Sequence, residues 1–107
     1  MDETRSKTED YRVVYSERVR IALKNLVTLA TNRGLKQTVL LAIKELDHRL
    51  RVYPQFGEPL MDLKLKPARL LVGVVGPLVA RYFLDEEKRL VMVVAPITPM
   101  PHCGLDG

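Results

Sequence analysis

The chain has 107 residues, 47% of them hydrophobic, so it can build one core but not two, and its composition is that of a folded domain. A formal charge of +4 and a pI near 9.4 favour a polyanionic or acidic partner without choosing between nucleic acid and protein. The single cysteine, Cys103, excludes an intrachain disulfide, the charged opening MDETRSKTED lacks the apolar centre of a signal peptide, and the longest apolar run, Leu70–Ala80, is too short for a membrane helix. The expectation is one domain in a reducing cytoplasm, with no membrane role.

Residues 1–10 are polar and aperiodic and read as a flexible tail. Tyr11–Tyr15, YRVVY, is β-branched and aromatic and predicts a strand. Ser16 is a helix N-cap candidate, and Glu17 in the first turn suits the helix dipole. A helix is predicted from Glu17 to Asn32, with Val19, Leu23, Leu26 and Ala30 on one stripe and Gly34 as its terminator. A second helix is predicted from Leu35 to Val52. Its apolar face is Val39, Ile43, Leu46, Leu50 and Tyr53, and Pro54 ends it. The short break between them predicts an antiparallel helix hairpin.

Residues 54–67, PQFGEPLMDLKLKP, are too rich in proline for a long regular element, though Leu60, Leu63 and Leu65 could fasten them to the core. Three strands follow: Arg69–Val75, Leu78–Leu84 and Leu90–Ala95. Gly76-Pro77 and Asp85–Arg89 separate them, and turns this short imply antiparallel neighbours. The predicted architecture is α+β with the order β-α-α-β-β-β. A helix hairpin packs on one face of a small antiparallel-rich sheet, and the other face stays open as a shallow groove. The domain is expected over residues 11–97, with an irregular tail over 98–107.

The chemistry-bearing residues are few. No GxGxxG or GKS/T loop is present, and Gly73 and Gly76 read as a bulge and a turn. His48 is far in sequence from His102-Cys103, so no metal-ligand spacing exists, and neither metal nor cofactor is expected. Asp85, Glu86 and Glu87 belong to a solvated turn, and His48 lies off the apolar stripe of its helix. His102 follows the last strand, where it is either a tail residue or a group able to move a proton. Arg81 interrupts an apolar strand. Leu78, Ala80, Tyr82 and Leu84 take one face, and Val79, Arg81 and Phe83 the other, so Arg81 opens onto the groove to meet phosphate or an acidic partner. Lys64, Lys66 and Arg69 add charge nearby.

The segments YRVVYS, LDHRLRVYPQFGEPL and GPLVARYFLDEEKRLVMVVAPI, in that order, resemble the RelE/ParE toxin superfamily of type II toxin–antitoxin systems, including its plasmid stabilisation proteins. The resemblance implies a small toxin neutralised by a cognate antitoxin. Its action would be metal-independent cleavage of messenger RNA on the ribosome, with arrest of translation, or inhibition of DNA gyrase. As a third outcome, the scaffold is catalytically degenerate and only binds protein. With Tyr82 and Asp85 matched to the family's strand tyrosine and turn aspartate, the family's arginine position falls on Val79, and Arg81 lies two residues away on the same face. Leu71 stands where a second cation would follow Arg69. In an endoribonuclease of this kind Arg81 and Arg69 would hold phosphate and His102 would transfer the proton, with Lys64 and Lys66 binding nucleic acid or a partner.

Overall fold

The computed structural model describes residues 10–60 and 68–101. Strand β1, Arg12–Tyr15, leads through Ser16 into helix α1, Glu17–Asn32. The Ser16 hydroxyl accepts the Val19 N–H at 3.2 Å, as an N-cap should. Gly34, at φ +74°, turns the chain into helix α2, Lys36–Val52. Of the expected stripes, Val19, Leu26 and Ala30 from α1 and Val39, Leu46 and Leu50 from α2 are buried, Leu23 and Ile43 are half-buried, and Tyr53 departs from the expectation, being exposed just past the end of α2.

Pro54–Phe56 form a single 3₁₀ turn, followed by β2, Glu58–Pro59. Strands β3 (Ala68–Val75), β4 (Leu78–Asp85) and β5 (Leu90–Val93) are antiparallel neighbours, as the short turns require. Gly76 has φ +58° and is followed by Pro77, whose ring fixes φ negative. These are the signs of a type II′ hairpin turn, which matches the strand twist. In the second turn the Asp85 carboxylate accepts the Lys88 N–H at 3.1 Å, and Arg89 takes φ +52°.

Among the described residues the strands form one mixed sheet in the order β1-β5-β4-β3-β2. β1 runs parallel to β5, with Val13 opposite Val91 and Tyr15 opposite Val93. Parallel pairing needs a long crossover, and the intervening helices supply it. Leu78, Ala80, Tyr82 and Leu84 are all buried and meet the two helices together with Leu71, Val75, Val91 and Val93.

Two details differ from the sequence reading. Residues 98–100 were expected in an irregular tail, yet β6, Thr98–Pro99, pairs with β4, and the Met100 N–H donates to the Pro77 carbonyl at 2.7 Å. Continued unbroken, the pairing that sets Met92 opposite Phe83 would bring Thr98 to Pro77; Thr98 faces Val79 instead, so two extra residues are accommodated between β5 and β6. Pro96, without an N–H, suits that interruption. Gly73 is not a bulge, since β3 pairs with β4 in one continuous register from Ala68 to Val75. A β-carbon there would come within 2.6 Å of the Phe56 ring, so this glycine makes room for an aromatic neighbour.

Candidate functional site

Strand alternation decides what the sheet offers on the face turned away from the helices. β3 contributes Leu70, Val72 and Val74, and β4 contributes Val79, Arg81 and Phe83. In register, Leu70 faces Phe83, Val72 faces Arg81 and Val74 faces Val79. Phe83 lies opposite Met92 of β5, and Met92 opposite Val14 of β1, so one apolar row crosses four strands. Val14 and Val74 are 44% and 48% exposed. An antiparallel sheet with one solvated face ordinarily carries polar side chains there. Here, apart from Arg12 exposed at the β1 edge opposite Leu90, that face among the described residues is largely apolar around one central cation.

That cation is Arg81. It is exposed and makes no ion pair or hydrogen bond with any described residue. Val72 is its cross-strand neighbour, and Val79 and Phe83 flank it along β4. An exposed guanidinium on an apolar floor can bind a carboxylate or phosphate with its forked donors.

Arg69 is elsewhere. It pairs with Leu84, and Leu84 is buried beneath the helices, so Arg69 points to the helix side of the sheet. Its Nη2 lies 3.5 Å from Glu86 Oε2. Gln55 Nε2 donates to the same carboxylate at 2.8 Å and to the Tyr11 hydroxyl at 2.9 Å, and the Arg89 guanidinium stands 4.9 Å above the Tyr11 ring. Arg69 thus belongs to a polar cluster at one end of the sheet. Arg69 and Arg81, which the sequence reading set around one groove, lie on opposite faces. Lys64, Lys66 and His102 lie outside the described residues.

Two further clusters brace the site. The Tyr82 hydroxyl donates to the Pro54 carbonyl at 2.5 Å and accepts the Gly57 N–H at 3.2 Å, while its ring stacks on Phe56 with centroids 6.1 Å apart. Burial pushes the Tyr82 hydroxyl up to about 12, against smaller opposing effects from the Gly57 N–H and Arg69. It therefore keeps its proton at neutral pH and acts as a fastener for the 54–57 loop. Tyr15 donates to Asp47 Oδ1 at 2.6 Å, and Arg51 Nε donates to Asp47 Oδ2 at 2.8 Å, which locks β1 to the end of α2. No local pattern announces that cluster, because Tyr15 and Asp47 are 32 residues apart. The loop left a signal in Pro54 and Gly57, since both keep the backbone close to Tyr82.

No helix among the described residues is long and apolar enough to cross a membrane. Compared with known proteins, the chain matches no family profile, no curated protein and no solved structure.

Proposed function

We infer that the chain is the toxin-like component of a type II toxin–antitoxin pair on a RelE/ParE-type scaffold, neutralised by a cognate antitoxin, and that it acts by gripping a protein and not by cutting RNA. The observation that carries the second half is the open sheet face. Leu70, Val72, Phe83 and Met92 line it around Arg81, and Arg69 is on the other side of the sheet. In-line cleavage of RNA requires several cations converging on one phosphate and a group to take the 2′-hydroxyl proton. Among the described residues Arg81 stands amid aliphatic side chains, and the other strand cation on that face, Arg12, is two strands away opposite Leu90, an arrangement that suits a protein partner that sets a carboxylate on Arg81 and covers the rest with apolar groups. DNA gyrase is the family-type target compatible with that mode. The first half rests on the sequence resemblance, together with an element order in which a helix hairpin covers one face of a mixed sheet.

Induced expression is expected to arrest growth, and co-expression of the neighbouring small gene to relieve it. Primer extension on translated messages should find them intact. Arg81→Glu should abolish arrest while leaving the circular dichroism spectrum and melting unchanged. Absence of arrest sinks the toxin reading. Codon-linked cuts in translated messages overturn the binding reading in favour of a ribosome-dependent nuclease.

A further inference from the structure

Among the described residues the outer edge of β3 is only half covered. β2 lies against Leu71 and Val72, and the Leu60 N–H donates to the Leu70 carbonyl at 2.9 Å. That bond identifies the even-numbered residues of β3 as those whose backbone groups point outward, because the two sides alternate along a strand. Val74 is the next in that series. β2 stops short of it, and no other described strand pairs with its outward N–H and C=O.

Beside this bare stretch is a cavity of about 400 Å³ lined by Arg49, Phe56, Glu58, Val72, Gly73 and Val74. Its two sides differ in chemistry. On the helix side, Phe56 fits under Gly73, and the Arg49 guanidinium stands 5.5 Å from the Phe56 ring centroid. Arg49 Nε contacts Glu45 at 2.8 Å in an exposed pair one helical turn apart, a weak kind of pairing that leaves further guanidinium donors for a second carboxylate. On the open-face side stand Val72 and the exposed Val74.

Unpaired strand backbone beside a concavity is the geometry of strand addition, in which main-chain bonds give affinity and alternate side-chain pockets give selectivity. We propose that this edge of β3 binds an extended, acidic-apolar peptide segment of another protein. The segment pairs with the backbone of Val74, directs a carboxylate to Arg49, and lays its next side chain, an aliphatic one, against Val72 and Val74. The alternation follows from the two-residue period of a strand. The acid is selected by the cation at the wall, and the net charge of +4 draws acidic segments in. Glu58, where β2 begins, sets the end of the peptide's run. A second copy fits less well, because pairing two β3 edges would crowd two Arg49 side chains on one side of the junction. This surface shares Val72 and Val74 with the Arg81 face, but it depends on the Val74 backbone and Arg49 and not on Arg81, so the two readings are tested by different substitutions.

The test uses the full chain and a positional-scanning library of capped heptapeptides, with binding read by fluorescence polarisation and mapped by amide chemical shifts. The selected peptides should alternate acidic and aliphatic residues and shift Val74. Val74→Pro removes the outward N–H and leaves the inward bonds to β4, so affinity should fall about tenfold; Val74→Ala keeps the N–H and trims only the aliphatic contact, so its loss should be clearly smaller than that of Val74→Pro. Arg49→Gln should erase the preference for acid. If Val74→Pro fails to fold, N-methylation of the peptide residue opposite Val74 must give the same loss. A library with no selection, shifts that map elsewhere, or binding indifferent to N-methylation overturns the proposal. So does concentration-dependent dimerisation through this edge without peptide binding.

Discussion

Arg81 and Tyr82 are adjacent in sequence and opposite in consequence. Arg81 is exposed and unpartnered among the described residues, so Arg81→Ala should change unfolding free energy by no more than about 0.5 kcal/mol in a urea titration. Tyr82 is buried, and Tyr82→Phe would leave the Pro54 carbonyl and the Gly57 N–H without their partner. The expected loss is about 1–3 kcal/mol by the same titration. The glycines divide in a similar way. Gly73→Ala drives a methyl into Phe56 and should destabilise by about 1–3 kcal/mol. Gly34→Ala meets open space, and its φ of +74° alone should make it costly by about 1 kcal/mol.

At the scale of elements, the two helices begin differently. Ser16 caps α1 with its side chain and Glu17 complements the dipole, whereas α2 starts at Leu35 with no side-chain cap and Lys36 in its first turn. A cation at a helix N-terminus opposes the partial positive charge there. Lys36→Glu should therefore raise the melting temperature by an amount corresponding to about 0.3–1 kcal/mol, while Ser16→Ala should lower stability by about 1 kcal/mol. Strand β4 is the organising element of the sheet. It pairs with β3, β5 and β6, buries one face under both helices, and presents Arg81 on the other.

Across the whole molecule, stability should form a plateau in pH with two limbs. Burial alone would raise the Asp47 carboxyl, but hydrogen bonds from Arg51 and Tyr15 outweigh it and hold the group below the usual range. A lowered acid contributes stability above its unfolded value of about 4 and loses it as pH falls through the folded value. Tyr15 is raised by burial first and by Asp47 second, and Tyr82 is raised by burial to about 12. Raised tyrosines contribute below about pH 10 and lose that contribution as pH rises through their folded values. Urea midpoints measured against pH should be flat between the limbs. Asp47→Asn should weaken the acid limb and Tyr15→Phe part of the alkaline one.

Local rules settled the helix hairpin, the three principal strands and the faces of β4. Their causes are short in sequence: apolar spacing of three and four, alternation of two, a serine cap, and glycine-proline punctuation. The face of Arg69 was not readable in this way. β3 runs apolar on both faces, so its two-residue period is silent, and only its register against Leu84 places Arg69 on the helix side. The same holds for the parallel seating of β1 beside β5, the continuation of the sheet through Thr98 and Pro99, and the uncovered backbone at Val74. Each is a pairing between distant segments, chosen by packing and by where backbone hydrogen bonds can close. By itself the sequence determined an α+β scaffold with Arg81 on the free side of β4. The tertiary structure decided that Arg69 does not share that side, because the face of a residue in a doubly apolar strand is set by its partner strand and not by its neighbours in the chain.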